Sequence, residues 1–108
     1  MKKLMTAMAG CVLVAGCAST DKVLTMQPVN VYHVDTSQSE VAFCLANKNN
    51  TTPFDRADGS KVVLIKNGYG AVSLAFTIYA EGTGSRVEYR KAFGTVGGIW
   101  KQCVGAKD

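Results

Sequence analysis

The residues best able to do chemistry in this 108-residue chain are four cysteines, Cys11, Cys17, Cys44 and Cys103, and a single histidine, His33. Thiols and an imidazole can hold zinc, form a nucleophile–base pair, or close disulfides, and which of these applies depends on how the cysteines divide. Signatures of common hydrolases are missing: the chain contains no G-x-S-x-G, no H-E-x-x-H and no glycine-rich phosphate loop leading into a helix. His33 lies in or beside a candidate strand, where a lone histidine reads as a surface side chain rather than a base. Asp55, Asp58, Gly59 and Ser60 sketch an acidic turn. The D-x-D-x-D-G spacing of a calcium loop is absent, so an Asx turn is expected there. These features predict a protein that is not an enzyme and that carries neither metal nor cofactor.

The N-terminus has a different character. Lys2 and Lys3 precede an apolar run from Leu4 to Gly16, and polar Ser19, Thr20 and Asp21 follow. Crossing a bilayer takes about 20 apolar residues, so this run of about 13 is too short to span and reads as a signal sequence. The residues Val14-Ala15-Gly16-Cys17 resemble the processing motif of bacterial lipoproteins. That resemblance implies cleavage between Gly16 and Cys17, diacylglyceryl attachment to the Cys17 sulfur and acylation of the freed amine. Several acyl chains, each CH₂ contributing about 0.8 kcal/mol, give an anchor that is effectively permanent. The position after Cys17 is Ala18 rather than Asp, which in Gram-negative lipoproteins favours the outer membrane, facing the periplasm.

With Cys11 discarded in the leader and Cys17 consumed by lipid, Cys44 and Cys103 remain. An even pair in a small exported domain is read as one disulfide, because the envelope is oxidising. The loop it closes, about 60 residues, corresponds to roughly 4 kcal/mol in the chain-entropy treatment. A zinc site would need a fourth partner beside these two and His33, and a Cys/His nucleophile would leave an odd thiol open to oxidation. The leader also carries part of the basic charge. The whole chain is formally +4, and without Lys2 and Lys3 ten basic residues face eight acidic ones. No basic run suited to consecutive phosphates exists, so nucleic acid is set aside.

Residues 1–16 are thus expected to be a removed signal, 17–28 a lipidated N-terminus and polar tether, and 29–108 one all-β domain. Short β-rich runs alternate with turn clusters. Val29–Val34 and Glu40–Ala46 are the first two predicted strands, the second with Val41, Phe43 and Leu45 on one face and Cys44 on the other. Asn47–Ser60 reads as a long loop. Lys61–Lys66 leads through Asn67-Gly68, a hairpin signal, into Ala71–Ala80, where Val72, Leu74, Phe76 and Ile78 share one face. Glu81-Gly82-Thr83-Gly84-Ser85 turns the chain again, and Arg86–Arg90 alternates, with Val87 and Tyr89 inward. Gly94–Gly98 breaks the pattern before a last strand, Ile99–Val104. The expected architecture is a small antiparallel sandwich or open barrel of five to six strands with one disulfide.

Tyr69 between two glycines, and Arg86, Arg90 and Lys91 beside a glycine-rich loop containing Phe93, are candidate protein contacts, since tyrosine and arginine are favoured at binding hot spots. Size, lipobox, disulfide and β content together resemble the superinfection-exclusion lipoproteins of phages and prophages, which occlude or inactivate an outer-membrane receptor from inside. The stretch Val87-Glu88-Tyr89-Arg90, the aromatic glycine-rich loop and Trp100-Lys101-Gln102-Cys103 have a similar layout. Gly84-Ser85-Arg86 to Tyr89 is similar in part to membrane-bound lysozyme inhibitors, although only eight residues follow Trp100. Three functions are therefore open: a blocking or binding module for an envelope protein, an inhibitor of a lysozyme-like hydrolase, and a structural envelope lipoprotein. None involves a small-molecule substrate.

Overall fold

Alternating side chains and tight turns build a sheet, and the computed structural model describes it through residues 22–92 and 98–105. Strands β1 (Asn30–Val34), β2 (Phe54–Asp55), β3 (Lys61–Lys66), β4 (Val72–Glu81) and β5 (Gly84–Lys91) form one antiparallel sheet in the order β1-β5-β4-β3-β2. The mostly-sheet chain of five antiparallel strands, with a Cys44–Cys103 disulfide, is as the sequence predicts. Helix α1 (Gln38–Lys48) lies between β1 and β2 in the chain, and α2 (Lys101–Val104) follows β5. Residues 22–25 are also helical.

Two segments expected as strands are helical. Glu40–Ala46 lies within α1, where Ser37 caps the N-terminus: its Oγ accepts from the Glu40 amide at 3.3 Å and donates to Glu40 Oε1 at 3.1 Å. Ser-x-x-Glu is the capping-box pattern, here closed through the Ser37 hydroxyl, and behind it Val41, Ala42, Leu45 and Ala46 are all buried at helical spacing. Phe43, which a strand would turn inward beside Val41 and Leu45, is instead 69% exposed. Ile99–Val104 likewise ends in α2 rather than a strand. Trp100, Cys103 and Val104 point inward at i, i+3 and i+4, and Gly105 at φ +72° stops the helix as a left-handed cap.

One face of the sheet carries the main core. Val63 and Ile65 of β3, Leu74, Phe76 and Ile78 of β4 and Val87 of β5 meet the buried face of α1 and the residues of α2. Tyr89 packs inward with them, as its alternation with Arg90 predicts. Val72 departs from the stripe expected for β4. It packs with Val23 and Ala75, beside a register shift between Ile65 and Lys66 where β3 ends and β4 begins. That contact also corrects the start of the domain. Val23 is 4% exposed and belongs to the fold, whereas composition alone assigns it to the tether.

The turns follow backbone chemistry closely. At the β3–β4 turn, Asn67 Oδ1 accepts from the amides of Tyr69 (2.8 Å) and Ala71 (3.2 Å), and Gly70, rather than Gly68, takes the positive φ of +85°. Between β4 and β5, Gly82 at φ +62° opens a two-residue loop, and the chain re-enters the sheet at Gly84. A side chain on Gly84 would collide with the Val34 carbonyl, where β1 runs past β5. Gly84→Ala is therefore expected to cost about 2 kcal/mol or more, because backbone rather than a flexible side chain must move. Urea unfolding checks this: an unchanged midpoint would show that β1 can shift freely.

Candidate functional site

The disulfide joins the two helices. Cys44 of α1 and Cys103 of α2 are bonded, with Cα atoms 5.7 Å apart and a separation of 59 positions in the chain. This bond brings Trp100 over the sheet. Its ring lies 4.6 Å from that of Tyr89, 5.2 Å from Phe76 and 6.0 Å from Tyr32. Burial pushes the Tyr89 phenol above its ordinary value, so it stays neutral inside this cluster. The cluster is packing rather than a site, since its rings face one another.

Where β1 ends beside α2, a shallow open depression of about 440 Å³ is lined by His33, Val34, Asp35 and Thr36 on one side and by Gln102, Cys103, Val104 and Gly105 on the other. His33 Nδ1 lies 2.7 Å from Glu81 Oε1, with both side chains largely in solvent. Ser85 Oγ donates to the Thr36 carbonyl at 2.7 Å and fixes the rim. Sequence patterning did not point to this depression, because its two walls are more than sixty residues apart. The edge of the sheet next to it is blunted: the Val31 amide donates to Asn30 Oδ1 at 3.0 Å rather than facing outward unpaired. Val29 and Val31 stay exposed there.

The four residues proposed for protein contact do not form one patch. Tyr69 is 97% exposed at the tip of the β3–β4 turn, and Lys91 is exposed at the end of β5, on the same end of the sheet. Arg86 stands at the other end of β5, its guanidinium 4.2 Å from the centre of the Tyr79 ring. Arg90 is fully engaged. Its Nε donates to the Met26 carbonyl at 2.8 Å, Nη2 to Glu88 Oε1 at 2.9 Å and Nη1 to Thr77 Oγ1 at 3.4 Å. Arg90 thus clasps the N-terminal segment to the sheet and presents little to a partner. Cys11, Cys17 and Phe93 lie outside the described residues.

The acidic turn behaves as an Asx turn. Asp58 Oδ1 accepts from the Ser60 amide at 2.9 Å and from its hydroxyl at 2.6 Å, and these bonds hold its carboxyl below the ordinary aspartate value. A carboxyl depressed on folding stabilises fully above about pH 4 and loses that contribution as pH falls through its folded value. Ser60→Ala is expected to raise the Asp58 midpoint, read by carboxyl NMR titration; an unmoved midpoint would assign the depression to the backbone amide of residue 60 and to Arg56, which the substitution leaves in place. Among the described residues, no three histidine, cysteine or carboxylate side chains gather as a metal group, and no helix is long and apolar enough to cross a membrane.

Fold and surface define an open antiparallel sheet with α1 and α2 on one face, joined to each other by the disulfide, and a shallow depression beside the end of β1. No protein-family model matches the chain, and neither a curated protein nor a solved structure is significantly similar to it.

Proposed function

We propose that this chain is a lipoprotein anchored through Cys17 in the outer membrane, facing the periplasm, where it acts as a non-catalytic module that binds or blocks another envelope protein. The observation that carries this reading is the cysteine accounting. Cys44 and Cys103 are bonded to each other, as suits an oxidising compartment, and the two other cysteines both fall in the N-terminal leader and lipobox. Shallow, exposed surfaces support a contact role: Tyr69 at its turn, and the depression between β1 and α2. In its finer form the reading is occlusion of an outer-membrane receptor against superinfecting phage.

Crosslinking and pull-down of the lipidated protein from its own outer membrane tests this. A porin or transporter enriched over a Cys17→Ala variant is the expected result. Enrichment of a hydrolase, with micromolar inhibition of lysozyme by the purified protein, would replace the blocking reading with the inhibitor one. Equal recovery from both samples would leave only a structural role.

A further inference from the structure

The registers place charge unevenly along the sheet. At the end where β1 and β4 finish and β3 begins stand Asp35, Asp55, Asp58 and Glu81, with Glu40 in the first turn of α1, whose Gln38 bonds the Gly59 and Ile78 carbonyls; these carboxylates outnumber the cations at the same end, Arg56, Arg86 and Lys61, the last of which pairs with Asp55. At the opposite end, Lys66 closes β3, Lys91 closes β5 and the β3–β4 turn holds up Tyr69. The N-terminal segment arrives at this same end: Val23 packs on Val72, and Val29 bonds the Tyr89 carbonyl before β1 begins. Lys22 therefore joins Lys66 and Lys91. All three are exposed, and among the described residues none takes part in the ion pairs, which involve His33, Lys61, Arg86 and Arg90. The one carboxylate nearby on β5, Glu88, is held by Arg86 and Arg90.

From this arrangement we infer that the lysine end, with Tyr69 at its tip, rests on the bilayer and binds anionic phospholipid headgroups as a second contact beside the lipid anchor. The inference rests on the lipoprotein reading above. Chain length forces proximity. From Cys17 to Lys22 there are five residue steps, which span at most about 17 Å, and residue 22 already belongs to the packed domain. Charge then selects which end turns down, because each lysine near an anionic surface is worth about a fivefold bias, while the carboxylate end is repelled. Lys66 and Lys91 stand two strand spacings apart and two residues offset along β4, about 12 Å in all, so both reach headgroups of one small lipid patch. Tyr69 suits the interface. An amphipathic ring that is 97% exposed, on a turn fixed by Asn67, meets the headgroup layer without rearrangement.

The test uses the full lipidated protein carrying Tyr69→Trp, in vesicles of brominated phosphatidylglycerol or brominated phosphatidylcholine. Buried Trp100 supplies a constant background, measured on the unsubstituted protein. Quenching of the tryptophan at position 69 in the anionic vesicles is expected, with the docked-to-free ratio falling about fivefold for each of Lys66→Gln and Lys91→Gln. Mass spectrometry of the same preparations reads the acyl groups on Cys17. If the acyl mass is present and the position-69 signal is unquenched, or is quenched equally in both lipids or regardless of the lysines, this orientation is overturned and the lipoprotein reading stands. Absence of the acyl mass overturns the lipoprotein reading, and the orientation with it.

Discussion

Cys103→Ser is expected to lower the unfolding free energy by roughly 4 kcal/mol, the largest effect of any single conservative change in this chain. The bond closes a loop of 59 positions and is the covalent link between α1 and α2. Without it α2 is a four-residue helix, too short to persist alone, with Trp100 and Val104 packed on the core. For a small domain whose total stability is on the order of 5–10 kcal/mol, such a loss leaves a substantial unfolded fraction. Urea unfolding followed by Trp100 fluorescence reads the change as a lower midpoint. Cys44→Ser should match Cys103→Ser, and the double variant should cost no more than either, because both remove the same constraint. Additive losses from the two serines would show that each thiol matters chiefly through its own packing.

Phe76→Ala is expected to cost about 3–5 kcal/mol. Phe76 is fully buried at the centre of β4, with the Tyr89 ring 5.4 Å and the Trp100 ring 5.2 Å from its own, so truncation opens a cavity among groups that cannot easily collapse into it. Phe43→Ala is the matched contrast. Read as strand, Phe43 belongs to the inward stripe with Val41 and Leu45 and its loss would be comparably severe; on α1 it faces solvent, and the change should stay within about 0.5 kcal/mol. Comparable losses for the two phenylalanines would contradict the helix and restore the strand. The pair therefore tests the point at which sequence patterning and structure differ most.

That difference has a physical cause. Val41, Phe43 and Leu45 satisfy a period of two, but Val41, Ala42, Leu45 and Ala46 satisfy 3.6 equally well, and seven residues are too few for periodicity to separate the two. The capping box Ser37-x-x-Glu40 was the signal that could have decided it. At the C-terminus the comparable signal was Gly105, placed to end a helix one turn after Trp100. By contrast β4 was legible, because Leu74, Phe76 and Ile78 alternate through a ten-residue stretch, long enough to exclude a helix, and β5, with Val87 and Tyr89 inward, follows from the turn at Gly82 that leads into it. Of the candidate contacts, sequence patterning identified Tyr69 as a side chain without neighbours. It could not separate Arg90, consumed by Met26, Thr77 and Glu88, from Lys91, one residue on and exposed.

Local chemistry in the sequence was sufficient for the strands with long alternation, for the turns at Asn67 and Gly82, and for the pairing of Cys44 with Cys103, because each depends on neighbours in the chain or on a simple count of thiols. Tertiary structure alone decided the rest. The helical layer covers the sheet because α1 buries Val41 and Leu45 against strands that follow it by up to forty-six residues, and residues 22–26 join the fold because Val72, Ala75 and Arg90 receive them. The uneven placing of charge is likewise a product of strand register, which carries Lys66 and Lys91, twenty-five positions apart, to one end of the sheet, and Asp35 and Glu81, forty-six apart, to the other.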